Sequence, residues 1–373
     1  MLNKHKVLQE LQAVVPQLFF ATGQEREIAY KVWRWLLDHP EQAEPLKCSV
    51  SPWQVPLWLE QLGTAEPIKT GNHGYSVTAV DGSQIYPDRH QGIGCYLLNI
   101  GTVTLTYDGH LSGMKTDSTP SVYALQENES LNDLSPERIN CQRSELELQV
   151  GLKVSTELTQ KRSLPHLFLC DGSLIFWHLD SQDDVTKERF LQNSLALLDD
   201  FYEKRLLIAG FISLPKSKEL VNIVRTAIDK NVISFENKPT FEYIVDSDVI
   251  LPFLPTYTRS ALFAHCSSII QRYPEHLRPH FMYVNINQEI IRIEVPAWIA
   301  QDQEALLTTL EIALDQCIKG HGYPVALSEA HEQAVVKSVD REFFFHMLYK
   351  LSADHNYPLK PSQKSLKKKF VSI

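Results

Sequence analysis

Two acidic residues stand in nearly the same sequence setting, about ninety positions apart. Tyr75-Ser76-Val77-Thr78-Ala79-Val80 runs into Asp81-Gly82-Ser83, and His166-Leu167-Phe168-Leu169-Cys170 runs into Asp171-Gly172-Ser173. An apolar, β-prone run that stops at Asp-Gly has the form of a buried strand with a sharp exit. Glycine lacks a Cβ, so the chain can turn away and leave the carboxylate at the strand tip. Open α/β sheets bind their ligands at such tips. Two carboxylates delivered on neighbouring strands make a hard-oxygen site for Mg²⁺ or Mn²⁺. The plain alternative is a pair of Asx turns, since Asp-Gly is a common turn dipeptide.

Metal-assisted phosphodiester cleavage with two ions needs more ligands than these two. Arg143-Ser144-Glu145-Leu146-Glu147-Leu148 has helical spacing. Leu146 and Val150 would face the core, which leaves Glu147 beside that face and within reach of a strand tip. Glu145 competes for the same role. Farther on, Gly322-Tyr323-Pro324 leads into a helix, with His331 and Glu332 expected near its start. A neutral imidazole suits Mn²⁺ better than Mg²⁺. The chain has 14 His, so residue chemistry alone does not single out His331. Asp246-Ser247-Asp248 follows the apolar Tyr243-Ile244-Val245 and reads as a third acidic strand tip or, preferably, as a solvated turn.

The elements that must position these residues can be read from periodicity. Residues 1–73 look like a separate helical segment, with helical spacing in Ile28, Ala29, Val32 and Leu36 and a second piece around Trp53 to Leu62. Residues 74–351 form the main domain and 352–373 a basic tail. In the main domain the Asp81 strand is followed by an extended stretch from Ile93 to Tyr107, either one strand or a hairpin bent at Gly101. Segment 108–135 is polar and reads as a loop. Ser135-Pro136 starts a helix to about Gln160. The Asp171 strand, a helix, the Leu206–Leu214 strand and a helix from Ser217 follow. A strand pair flanks Asn287-Gln288, and helices 297–318 and 327–351 close the chain. Strands first, then alternating helix and strand, is the order of a ribonuclease H-like α/β fold: a mixed sheet flanked by helices.

Bulk properties narrow the class. The 373 residues carry a net charge of −9, which argues against a uniformly basic nucleic-acid binder. Local phosphate contacts remain compatible with it. Basic residues cluster at Lys204 and Arg205, at Lys216, Lys218 and Arg225, at Arg259, Arg272 and Arg278, and in the tail. Six Cys are scattered singly, without a Cys-x-x-Cys pair, and read as reduced thiols rather than a zinc site. Apolar runs are too short to span a bilayer, and the start lacks a signal-peptide core. A cytoplasmic protein with no membrane contact is the expectation. No Gly-x-x-x-x-Gly-Lys-Ser/Thr loop is present, which lowers the case for phosphotransfer.

Taken in order, these motifs resemble the NurA nuclease family. The resemblance rests on Val80-Asp81-Gly82-Ser83, the Arg143 to Glu147 helix and Leu169-Cys170-Asp171-Gly172-Ser173-Leu174. It continues through Gly210-Phe211-Ile212-Ser213 with the basic helix to Arg225, then Thr258-Arg259-Ser260-Ala261-Leu262-Phe263. It ends with Tyr323-Pro324 through Ala330-His331. It implies a ribonuclease H-like fold and a Mn²⁺-dependent deoxyribonuclease, Mg²⁺ being possible, with single-strand endonuclease and 5′–3′ exonuclease activity. It further implies a homodimer that works with HerA, a hexameric ATPase and translocase, in double-strand-break end resection. The family's metal ligands and catalytic residues carry over onto Asp81, Glu147, Asp171 and His331. The residues proposed to touch DNA are Lys216, Lys218, Arg225 and Arg259. Ser213-Leu214-Pro215-Lys216 departs from the family's Ser-Lys pair, which moves the basic contact to Lys216 or Lys218. Two rivals stand beside this reading: a catalytically weak module that docks on a translocase ring, and another metal-dependent phosphoesterase.

Overall fold

The computed structural model describes residues 2–356, apart from 20–21, 48, 50, 72–73, 88–93, 109–110, 125–134, 162, 178, 180–181, 236–238 and 288. The chain divides into two compact units, Met1–Lys69 with Phe211–Leu307, and Thr70–Gly210 with Thr308–Ile373. Asp81, Glu147, Asp171 and His331 all belong to the second of these.

That unit is built on a mixed, helix-flanked sheet, as expected of a ribonuclease H-like core. Tyr75–Ile85 pairs antiparallel with Cys95–Asp108, which pairs antiparallel with Leu111–Ala124. On its other side Tyr75–Ile85 runs parallel to His166–Asp171, with Ser76 opposite His166 and Ala79 opposite Leu169. Leu207–Ile212 lies beyond His166–Asp171. Val77, Ala79, Leu167 and Leu169 are all inaccessible to solvent. Sheets covered on both faces produce such continuous apolar strands. Between the meander and the parallel strand runs the helix Pro136–Lys161. Ser135 Oγ accepts the backbone N–H of Arg138 at 3.2 Å, and Pro136 opens the first turn.

Cys95–Asp108 is one continuous strand, not a hairpin bent at Gly101. The glycine serves a different purpose. It pairs with Asp81 across the ladder, and a Cβ there would lie 2.4 Å from Ala334 N and 2.7 Å from Ala330 O. The helix Val325–Ala334 therefore rests directly on the strand backbone. Segment 108–135, expected to be a loop, contains the strand Leu111–Ala124, whose described side chains are mostly exposed. A solvated edge strand carries no core-facing alternation, so periodicity could not reveal it. The single closing helix expected over 327–351 is two helices, Val325–Ala334 and Ser338–Asp354.

In the other unit, the N-terminal segment is not separate. Ala29, Val32, Trp33 and Leu36 of the helix Thr22–Asp38 share one buried core with Leu220, Ile223 and Val224 of Glu219–Asp229. Tyr283 of Pro279–Asn285 and Ile290 of Ile290–Pro296, an antiparallel strand pair, join the same core. The helical piece expected around Trp53 is absent, and Leu57–Trp58 instead pairs as a short strand with Phe263–Ala264. Pro52 and Pro56 explain this, because neither can donate a helical N–H. Most of the expected basic tail, residues 357–373, lies outside the described residues. No described helix is long and apolar enough to cross a membrane.

Replacing Gly101 with Ala should lower thermal stability by about 1–3 kcal/mol, the usual cost of overpacking. Gly113, whose Cβ position has nothing within 4 Å, provides the control. Gly113→Ala should melt within about 0.5 kcal/mol of the parent. Equal melting of the two variants would show that the helix does not need the bare strand.

Candidate metal centre

The parallel ladder ends at Ala79 and Leu169. Two residues farther on, Asp171 closes its strand. Asp81, expected at a strand tip, lies within Tyr75–Ile85, because the antiparallel pairing with Cys95–Asp108 carries that strand on to Ile85. The two carboxylates are near enough for Asp81 to raise the Asp171 pKa. Asp81 Oδ1 accepts the backbone N–H of Gly82 at 2.8 Å, and Oδ2 lies 2.8 Å from Nδ1 of His331. His331 is exposed and sits in the last turn of Val325–Ala334, not near a helix start as the sequence suggested. The split of the expected long helix accounts for the difference. Asp171 is held up from its ordinary pKa, first by desolvation and further by Asp81. Tyr323 opposes that rise by donating its phenolic hydrogen bond to the Asp171 carboxylate. Burial and the same carboxylate push the Tyr323 phenol well up.

Glu147 comes in from the helix Pro136–Lys161. Its side chain is 23 % exposed, yet Oε1 is buried and has no hydrogen-bond partner. Burial pushes the carboxyl up to about 8, with Asp81 and Asp171 adding to the rise and Arg143 opposing it. Arg143 Nε lies 3.4 Å from Glu147 Oε1, and its guanidinium donates to the Gly82 carbonyl at 3.0 Å. Glycine is required at 82 for this approach. A Cβ would stand 2.6 Å from both Glu147 Oε1 and Arg143 Cγ. Glu145, the competing residue, faces elsewhere and accepts from the Asn193 amide at 3.2 Å and from Gln149 at 3.1 Å.

Three carboxylates and an imidazole, all with oxygen or borderline nitrogen donors, suit Mn²⁺ or Mg²⁺. The orphaned Oε1 of Glu147 fits the same assignment. Among the described residues, however, no three donors converge as a ready-made cage. The carboxylates press on one another electrostatically without closing on a common point.

Sequence reasoning gave no role to Tyr323 or Arg143. Their signals were the Tyr-Pro dipeptide before the His331 helix and the four-residue spacing from Arg143 to Glu147, which puts both on one helical face. The basic candidates lie in the other unit. Arg259 is 5 % exposed and is held by Glu60 at 2.6 Å and by Glu66, so it is a core ion pair rather than a surface contact. Arg225 donates to the carbonyls of Thr240 and Phe241, and Lys218 donates to those of Phe241 and Glu242. Lys216 is exposed. Asp246 is neither a strand tip nor a solvated turn. Fully buried, it accepts the N–H groups of Glu219 and Val221 at 2.8 and 2.9 Å, capping the helix Glu219–Asp229.

Residues 75–336 match the model of the NurA domain, a span well over half of the chain. The chain belongs to the NurA family. The domain begins at the first residue of the Asp81 strand and ends just past the helix that carries His331, so it contains the whole cluster. Similar solved structures include a crystal structure of NurA, 11 % identical over 88 % of this chain and 98 % of that one, with a TM-score of 0.39. A crystal structure of NurA bound to dAMP and manganese is 13 % identical over 91 % of this chain and 95 % of that one, also with a TM-score of 0.39. Among curated proteins, none matches the sequence closely enough to count as a relative.

Glu147 gives this NurA-family protein a pH signature. Its carboxyl is raised from 4.5 to about 8 in the folded state. Between those values the folded protein binds a proton that the unfolded chain releases, so stability falls as pH rises through the window. Glu147→Gln removes that loss. In EDTA, its stability relative to wild type should improve from pH 5 to pH 8.5, by at most about 1.4 kcal/mol for each pH unit. Parallel melting curves across that range would refute the buried-acid assignment.

Proposed function

We propose that this protein is a metal-dependent deoxyribonuclease whose centre is formed by Asp81, Glu147, Asp171 and His331. The observation that carries the reading is the electrostatic grouping of Asp81, Asp171 and Glu147, with the buried Oε1 of Glu147 accepting no hydrogen bond and having only the Arg143 guanidinium at 3.4 Å to offset the two like charges. One guanidinium offsets only part of the cost of holding this carboxylate, buried, against two like charges. Manganese, present in neighbouring NurA structures, is the expected ion, with magnesium the alternative. When bound, such an ion supplies an activated water and neutralises charge at the leaving oxygen.

The protein's own groups would act around it. Asp81 and Asp171 would hold the ion from adjacent strands, and Glu147 would complete the shell from the helix side. His331, 2.8 Å from Asp81, would ligate or orient the attacking water. Tyr323 fixes the Asp171 carboxylate through its hydroxyl, and Arg143 offsets part of the charge on Glu147. Single-strand endonuclease and 5′–3′ exonuclease activity, homodimer formation, a HerA-like hexameric translocase partner and a role in end resection belong to the same proposal, supported by family membership. So does a cytoplasmic location.

Digestion of labelled single- and double-stranded DNA in Mn²⁺ and in EDTA tests the reading directly. Cleavage should require the ion. Asp81→Ala and Asp171→Ala should each abolish cleavage while metal-free stability holds or rises, because each relieves carboxylate repulsion. Mn²⁺ at a hundredfold excess over its Kd should stabilise the wild type by about 2.7 kcal/mol and the double variant far less. An active Asp171→Ala protein would remove the proposed centre.

Of the basic residues, Lys216 is the remaining candidate for a phosphate contact. Lys216→Ala should lower the slope of log affinity against log salt by about one. Lys218→Ala should leave that slope unchanged and reduce the melting temperature, because its ammonium already binds the Phe241 and Glu242 carbonyls. An identical slope for wild type and Lys216→Ala would put the DNA on another face.

A further inference from the structure

We infer that Asn99 and Gln316 are positioning residues, a pair of buried amides that clamp the two ends of the helix carrying His331. The inference rests on the nuclease reading for its consequence and extends it to how the site is kept in register.

The helix Val325–Ala334 has little of its own with which to hold its place. Its buried residues are Ala326, Leu327, Ala330 and Ala334, of which only Leu327 is large. The three alanines recur at every fourth position and so share one face. That face rests on the strand Cys95–Asp108 at Gly101, where a Cβ would lie 2.4 Å from Ala334 N. Alanine methyls against bare backbone allow a close approach, but they present no ridges to interlock with grooves. Such a seat resists separation better than sliding. A slip of one residue would carry His331 about 1.5 Å along the helix axis and about 100° around it. Its Nδ1 would then leave Asp81 Oδ2, which it meets at 2.8 Å.

Both ends are held instead by side chains from outside the helix. At the start, Pro324 offers no side-chain cap, and Gln316 Oε1 accepts the backbone N–H of Ala326 at 3.1 Å. Gln316 Nε2 donates to the Tyr75 hydroxyl oxygen at 2.8 Å, and Tyr75 is the first residue of the strand that bears Asp81. At the far end, Asn99 Nδ2 donates to the Ala334 carbonyl at 2.9 Å, and the Ser83 hydroxyl donates to the same oxygen. Ser118 Oγ steadies the Asn99 amide by donating to its Oδ1 at 3.0 Å. Gln316 is 0 % exposed and Asn99 8 %. Each satisfies a backbone group that the helix end itself leaves over. A shifted helix would strand these amides and its own terminal groups without partners, so the bonds select one register. Tyr75 and Ser83 both belong to Tyr75–Ile85, so the helix is measured at each end against the strand that carries Asp81.

The test uses full-length wild type, Asn99→Ala and Gln316→Met. On single-stranded DNA in Mn²⁺, well below each melting temperature, both variants should lose kcat by about 10- to 100-fold, the cost of a small misplacement. KM should stay within about twofold of wild type, because no DNA contact is removed. A purely structural amide would lower the melting temperature and leave the kcat of the folded protein unchanged. Amide hydrogen exchange in EDTA reads the clamp without any reaction. In both variants the amides of Val325–Ala334 should exchange about tenfold faster than in wild type, while those of His166–Asp171 keep their protection. Wild-type kcat in either variant, or exchange no faster in this helix than elsewhere, would overturn the clamp and leave the nuclease reading standing. A wild type that cleaves nothing would sink the nuclease reading, and exchange alone would then decide the clamp.

Discussion

Mutual repulsion among carboxylates brought together by two adjacent strands and a helix is the constraint around which this unit is organised. Asp81 and Asp171 are brought together by the parallel pairing of Tyr75–Ile85 with His166–Asp171, and Glu147 is driven against both. No local interaction would gather three like charges. The apolar interior of the two strands, buried at Val77, Ala79, Leu167 and Leu169, supplies the free energy that holds them. Two glycines make room: Gly82 for Glu147, and Gly101 for the helix bearing His331. Arg143 and Tyr323 are the counterweights, a guanidinium against Glu147 and a phenol donating to Asp171.

The other unit shows how this protein treats charges that are merely structural. Arg259 is enclosed by Glu60 and Glu66. Arg292, equally buried, bonds Glu219 and Glu294 at 3.1 and 2.9 Å, contacts His265, and lies 3.7 Å over the Phe281 ring. Asp246 accepts two backbone N–H groups and the Tyr283 hydroxyl. Buried polar atoms are ordinarily satisfied in this way. Among the described residues Glu147 Oε1 is the one buried carboxylate oxygen left without a hydrogen bond, although some buried donors, Arg259 Nε included, also lack one.

Part of the candidate cluster was legible before the structure. The paired Asp-Gly-Ser runs singled out both acidic positions, but only Asp171 ends its strand; Asp81 lies inside Tyr75–Ile85, whose pairing continues through Gly82 to Ile85, so the expected exit at Gly82 is absent. The choice between Glu145 and Glu147 was not legible, since it depends on Asn193 occupying Glu145 from a different helix. Arg259 looked like a surface cation for the same reason: Glu60 and Glu66 lie nearly two hundred positions away in sequence. Asp246 reads as a turn residue, and only its approach to the start of Glu219–Asp229 makes it a cap. Leu111–Ala124 was missed because a strand exposed to water carries no hydrophobic signature. Local pattern revealed what the backbone encodes by itself, while contacts between distant segments decided which charges were already spent.

The order of the pieces along the chain has a temporal consequence. Asp81, Glu147 and Asp171 are made early, yet the unit that holds them is interrupted by Phe211–Leu307 and resumes only at Thr308. Tyr323 and His331 arrive after that interruption. During synthesis the three carboxylates emerge from the ribosome without their phenol and imidazole partners, and the helix that seats on Gly101 does not yet exist. Assembly of the cluster is thus deferred until the interrupting segment Phe211–Leu307 has been made. A growing chain carries the three carboxylates through the whole of an intervening segment before the residues that complete their surroundings are made.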